Sequence, residues 1–349
     1  MTVYPSDPTV FQGPDDLPPV TIRPFEPRDT AEALASFNEV FADVDPTFEP
    51  RPPEEWAWRY EDNPCGHKSM VAASDDGKIA AFQGGIPFRV RMGDSNVLYG
   101  QLVDSFCKPA YAKGLSKPGL FAQMVADWST IFGGVGKDQF LVMVGLPVRS
   151  AYRIGQKVLF YFMVRSQMEL RARLDQLELN ETGSLTLDEP DDFPDDVDAF
   201  FERVAPAFGV IAVRDYAFLS WRFTRNPLAT YSIGCVRRHG DLVGYAVFTP
   251  GAFDQKPSGM VADWLVDPSV PEARHLLLDW LATKTRAADE NELCFVLPDV
   301  CPDFRALQLA GFRASMSSYI TTAGRRHPRF HANHVTRDWY YTMAEFDLC

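Results

Sequence analysis

Short apolar runs alternate along this chain with longer stretches apolar at every third or fourth position, and the series occurs twice. Residues 20–23 read as a strand. Asp29 and Thr30 then start a helix whose apolar positions are Leu34, Phe37, Val40 and Phe41. Residues 70–73 and 79–84 read as a hairpin about Asp75-Asp76-Gly77, and 88–92 and 97–107 as a second about 93–96. After a loop over 109–119, Leu120, Phe121, Met124, Val125, Trp128, Ile131 and Phe132 mark a helix stopped by Gly133-Gly134. Residues 140–144 are a buried strand, followed by a segment to Gly155 and a strand near 158–164.

The second half repeats the plan. Residues 231–236 and 242–248 form a hairpin, 260–266 a strand, and 271–284 a helix with Pro271 in its first turn. Residues 293–297 read as a buried strand and 339–343 as a closing one. The copies also match residue by residue. Trp58-Arg59-Tyr60-Glu61-Asp62-Asn63-Pro64 recurs as Trp221-Arg222-Phe223-Thr224-Arg225-Asn226-Pro227. At the same offset Phe82 falls on Tyr245, and at an offset four residues shorter Asp104 falls on Asp263. This predicts two similar α/β units: a loose arm over 1–19, a first domain over 20–173, an acidic linker over 174–198 and a second domain over 199–349.

Composition narrows the classes. The chain has 349 residues, enough for two domains, with 46% hydrophobic and 23% charged residues, as in soluble globular proteins. No apolar run is long enough for a membrane span, and no signal peptide is visible. The net charge of −13 comes without a basic stripe, which argues against a nucleic-acid partner and is compatible with a cationic one. None of the six cysteines forms a C-x-x-C pair, so the pattern suggests a reducing, cytoplasmic setting. Self-association is left open.

The order of elements resembles the GNAT acyltransferase superfamily, and specifically its tandem group. The segment that carries the resemblance is Val103-Asp104-Ser105-Phe106-Cys107-Lys108-Pro109-Ala110-Tyr111, with the loop ending Lys117-Pro118-Gly119-Leu120-Phe121. The resemblance implies two GNAT-like domains in tandem, each a mixed, mostly antiparallel sheet flanked by helices. It also implies acetyl-CoA or another acyl-CoA as cosubstrate, and transfer of the acyl group to a primary amine of a small molecule or amino sugar. No metal is expected. Backbone groups of Ser105, Phe106 and Cys107 would line the thioester arm. Lys108, Lys113, Gly114, Lys117, Gly119, Leu120 and Phe121 would surround the pyrophosphate, where a helix N-terminus and glycines favour phosphate approach. The loop departs from the family motif, with Ser116 where Arg or Gln belongs and Phe121 at the final small position. A non-catalytic GNAT-like binding protein is the alternative reading. An aminoacyl transferase built from paired units is a third, and the acidic charge opposes its tRNA partner.

In the second copy the equivalent loop, Asp267-Pro268-Ser269-Val270-Pro271-Glu272, has no glycine or lysine, so cofactor binding is assigned to the first copy. Tyr152 is the candidate acid for the leaving thiolate and Asp104 the candidate base. Because Asp263 repeats Asp104, a structural role competes with the catalytic one. The repeated Trp-Arg pairs read as packing and ion-pair fixtures. Cys107 reads as a buried hydrophobe, and His327, His331 and His334 as a loop cluster rather than a metal site. The C-terminal carboxylate of Cys349 is a further candidate by resemblance alone.

Overall fold

The computed structural model describes residues 8–14, 17–112, 119–147, 152–153, 155–156, 161–180, 182–325 and 330–346. Its first-half strands are β1 Thr9–Phe11, β2 Val20–Pro24, β3 Met70–Ala73, β4 Ile79–Met92, β5 Ser95–Cys107, β6 Phe140–Gly145 and β7 Phe162–Arg173. Those of the second half are β8 Leu185–Asp188, β9 Val210–Ala212, β10 Ser232–Arg238, β11 Asp241–Phe253, β12 Lys256–Val266, β13 Glu292–Phe295, β14 Arg313–Arg325 and β15 Trp339–Tyr340. The helices used below are α1 Thr30–Val44, α2 Pro53–Tyr60, α3 Leu120–Phe132, α4 Val197–Val204, α5 Ala273–Ala287 and α6 Pro302–Leu309.

The two halves share one sheet. Its order is β1-β2-β3-β4-β5-β6-β14-β7-β13-β12-β11-β10-β8, with β9 bridging β4 and β15 to the side. Among the described strands only β5–β6, β12–β13 and β9–β15 pair in parallel. The expected mixed, mostly antiparallel α/β architecture is present. The expected separation into two sheets is not, because the halves exchange strands. β14 pairs with β6 of the first half, and β7 pairs with β13 of the second. Buried polar groups join the exchanged strands. Gln167 on β7 accepts hydrogen bonds from Thr321 on β14 (2.7 Å) and from Tyr341 (2.6 Å). Glu169 on β7 accepts from Ser315 on β14 and from Lys256 (3.1 and 2.5 Å). Slipping the register by one residue would strand these groups without partners, a cost that favours a single pairing.

One face of the first half is covered by α3. Leu120, Met124, Trp128 and Phe132 pack on Val20, Ile22, Met70, Ala72 and Phe140. Gly100 is required beneath them, since a Cβ there would lie 2.6 Å from the Phe140 ring. The opposite face carries α1, α2 and much of the second half in one continuous core.

Several local expectations shift. Residues 79–84 and 88–92 form one strand, β4, with a bulge at Gln83 rather than two strands. Asp29 stands at the start of α1, but its carboxylate is taken by Arg23 (both contacts 2.7 Å) and by the amide of Glu26, and gives no side-chain cap. Within the segment expected to be a loose arm, Thr9–Phe11 pairs with β2. The acidic stretch around 188–198 is docked rather than free. β8 pairs with β10, Asp188 and Asp196 hold Arg237 (3.2 and 2.7 Å), Glu189 pairs with Lys284, and Asp192 accepts from Tyr216 and Thr224.

Candidate functional site

β5 stays paired to β4 as far as Cys107, but it pairs with β6 only from Leu98 to Gln101. From Leu102 onward the β6-facing edge of β5 has no strand partner among the described residues, so the two strands splay. A bulge sits at the splay: Phe82 faces Phe106 and Gly84 faces Val103, leaving Gln83 opposite Asp104 and Ser105. Asp104 takes the left-handed backbone conformation there, with φ 55°, which aspartate tolerates better than most residues. Its carboxylate anchors the kink. It accepts from Tyr60 and Arg51 (2.5 Å each) and lies 4.0 Å from Arg59. Glu55 completes the cluster by holding Arg51 and Arg59, each at 3.0 Å. Burial pushes the Asp104 carboxyl up, but the charges of Arg59 and Arg51 and the hydrogen bonds from Arg51 and Tyr60 outweigh burial and hold it below the usual range. So held, it is a weak proton acceptor.

The second half repeats the splay with a different content. β12 pairs with β13 only over Gly259–Val261 yet stays on β11 to Val266. Here the chain itself fills the opening. Tyr340 donates to the backbone carbonyl of Trp264, and Thr342 donates to Asp263 (2.7 Å). Arg214, wholly buried, joins Asp263 (3.1 Å) to Glu345 (2.8 Å). Tyr245 donates to Asp263 (2.7 Å) as Tyr60 does to Asp104. Phenol and phenyl have traded places between the copies: Tyr60 with Phe82 in one, Phe223 with Tyr245 in the other. Burial raises the Glu345 carboxyl above its usual range, the Arg214 charge opposes that rise, and Asp263 adds to it.

The helix N-termini differ as well. α3 begins after Gly119 with no side-chain cap, and a Cβ at Gly119 would meet open space. α5 also begins without a side-chain cap, but after Glu272 rather than a glycine, and the Glu272 carboxylate pairs with Arg238. Among the residues expected around the cofactor, Ser105 donates to Gln83 (3.0 Å), Phe106 stacks on Phe82, and Lys108 pairs with Glu39 (2.9 Å). Burial pushes the Cys107 thiol up to about 11. Leu120 is buried in the α3 core, and Phe121 packs against it. Lys113, Gly114, Ser116 and Lys117 lie outside the described residues, as do His327 and Cys349. Among the described residues no group of three or more His, Cys, Asp or Glu is arranged to hold a metal ion. His334 instead faces Asp338 at 3.5 Å.

Between the halves lies a cavity of about 310 Å³. The repeated Trp-Arg pairs form its centre. Trp58 and Trp221 stack with ring centroids 5.3 Å apart and planes 19° from parallel. Each indole N–H donates to the other's backbone carbonyl (2.7 and 2.8 Å), which is local two-fold symmetry built from one chain. Gln101, the last β5 residue paired to β6, also lines this cavity, so the cavity meets the first splay. Tyr152 is placed elsewhere. With Gln156 donating to its hydroxyl at 3.0 Å, it lines a groove of about 560 Å³ beside Met163 and residues 316–320 of β14. Gln101, Arg51, Tyr60 and Glu55 were not singled out by the sequence pattern. The exchange of Tyr60 and Phe82 for Phe223 and Tyr245 across the repeat is a signal that could have found Tyr60.

No protein-family model and no curated protein matches this chain. Solved structures do. A probable N-acyltransferase from Enterococcus faecalis superposes with a TM-score of 0.61 over 86% of this chain and 71% of its own, at 12% identity. A GCN5-related N-acetyltransferase from Anabaena variabilis gives 0.60 over 88% and 73%, at 12% identity. Eis1 from Mycobacterium abscessus gives 0.56 over 88% and 73%, at 15% identity. The fold is that of the GNAT acyltransferases. Among the described residues no helix is long and apolar enough to cross a membrane.

Proposed function

We propose that this chain is an acyl-CoA-dependent N-acyltransferase with one working site, in which the first half takes the acyl thioester and the acceptor amine enters between the halves. The observation that carries this reading is the unequal pair of splays. Among the described residues the first has a strand edge without a partner and a helix that starts after a glycine, while the second is filled by residues 339–346. Backbone groups of Ser105, Phe106 and Cys107 line the thioester arm, and the N-terminus of α3 faces the pyrophosphate. Asp104 serves as a positioning residue that fixes the bulge, since its ion pairs make it a poor base. Positioning of two bound substrates supplies much of the rate in such a site.

Isothermal titration of the full chain with acetyl-CoA tests the proposal. It expects one equivalent bound and a thermal shift that grows with ligand concentration. Absence of heat and of any thermal shift at about millimolar ligand, some 4 kcal/mol of affinity, would sink it. Two equivalents would sink the one-site assignment.

A further inference from the structure

We infer that the cavity between the halves binds a compact primary amine with a flat apolar body, the body against Trp58, Trp221, Phe88 and Phe218 and the nitrogen toward Gln101. Its size falls at the lower end of small-ligand pockets. Its wall is chiefly aromatic and aliphatic, and each of these four side chains is otherwise buried. A planar apolar ligand therefore gains stacking and burial there. The charged groups of the wall are engaged with one another or with the backbone. Glu55 is shared by Arg51 and Arg59, and Arg222 donates to the carbonyls of Ala344 and Phe346 (3.1 and 2.8 Å). A polyhydroxylated acceptor would surrender its water to a wall that does not replace it, at a cost for every hydroxyl. Of the two acceptor classes the sequence suggested, small amine and amino sugar, the cavity selects the first.

Gln101 gives the orientation. It sits where β5 leaves β6, so its side chain marks the end of the cavity nearest the splay. An amine nitrogen at that end lies toward the splay, and only its neutral form carries the lone pair that attacks. The turnover part of this inference rests on the acyl-transfer reading above; the binding part does not. In turnover the ammonium first gives one proton to solvent, the neutral nitrogen forms a bond to the thioester carbonyl carbon, the carbon–sulfur bond breaks, and the second proton lost by nitrogen ends on the thiolate. The products are an amide and free CoA thiol.

The test uses the full-length protein and two probes, phenethylamine and glucosamine. Intrinsic tryptophan fluorescence, read against calorimetry, follows binding without acyl-CoA. Phenethylamine is expected to bind at least about tenfold more tightly than glucosamine, the value of roughly one buried ring face. Equal binding, or no saturation by phenethylamine below about 10 mM, overturns the inference. Ala229, partly exposed on the cavity wall, supplies the variant. Ala229→Trp fills the cavity and is expected to abolish phenethylamine binding while leaving acetyl-CoA binding unchanged. Retained amine binding in that variant overturns the inference. Gln101→Leu is expected to keep amine affinity within about threefold and to lower kcat at least about tenfold, a split that loss of packing would not produce. If acetyl-CoA fails to bind while phenethylamine binds, the acyl-transfer reading falls and the cavity assignment stands. The converse result removes the cavity assignment alone.

Discussion

Replacing Asp104 with Asn and Asp263 with Asn removes the same charge from equivalent places in the repeat, yet the two changes are expected to differ in cost. The first-half cluster holds two guanidinium groups, Arg51 and Arg59, against two carboxylates, Glu55 and Asp104. Their side chains are only 5–12% exposed. Asp104→Asn leaves one positive charge in excess in that buried place. Breaking a buried pair from one side costs about 3–5 kcal/mol. The second-half cluster has one guanidinium, Arg214, against Asp263 and Glu345, all fully buried. There Asp263→Asn removes the neighbouring charge that helps to raise the Glu345 carboxyl, so Glu345 ionises and balances Arg214, and the loss is confined to weaker hydrogen bonds from Tyr245, Thr342 and Arg214, about 1–2 kcal/mol in sum. Urea unfolding of the parent and both variants at pH 7 measures the difference. The Asp104 carboxyl has a depressed folded pKa, so its stabilisation is present above the unfolded value near about 4 and is lost as pH falls through the folded one. The gap between parent and Asp104→Asn should therefore narrow in acid. An Asp263→Asn variant that costs as much as Asp104→Asn would refute the charge count.

Three further outcomes are expected. Burial raises the Glu345 carboxyl, so stability falls as pH rises from the unfolded value, about 4, through the folded one; Glu345→Gln should gain on the parent in thermal melts as pH rises above that unfolded value, and a variant that loses ground there contradicts the assignment. Trp58→Leu and Trp221→Leu each remove one stack and one hydrogen bond, and a double-mutant cycle should return a coupling of about 1 kcal/mol or more, whereas additivity within about 0.3 kcal/mol would dismiss the reciprocal pair. Cys107, with its thiol pushed up to about 11, should react with iodoacetamide at pH 7.5 at least about tenfold more slowly than a free thiol, and rapid modification followed by mass spectrometry would show that β5 opens.

Much of the element order was legible because apolar spacing is a local property. The α3 helix and the β12 strand fell close to where their patterns put them. The repeat was legible too, and it correctly marked Trp58 and Trp221 as fixtures, since identical residues at one offset occupy equivalent positions. Partners distant in sequence were not legible. The apolar pattern marked a strand near 158–164, where β7 runs Phe162–Arg173, but it carries no information on whether β6 or β13 lies beside it. Residues 339–343 read as a strand from their aromatic run, yet only Trp339 and Tyr340 pair, with β9. The rest turns into the second splay because Thr342 and Glu345 find buried partners there. Gln101 looked like one more strand residue until the cavity placed Phe218 and Trp221 on the same wall.

The exchange of β7 and β14 also sets the order of events on the ribosome. Thr322 on β14 hydrogen-bonds to Gly145 on β6, a partner 177 residues earlier. While synthesis continues at about 5–20 residues per second, β6 waits with an open apolar edge for roughly ten seconds or more. The nascent first half is thus a sheet lacking its neighbour, and such edges recruit strands from other chains. A contact of that sequence separation also slows folding once the chain is released. Production of this protein should therefore respond to translation speed and to chaperones that shield strand edges, more than to substitutions on its finished surface.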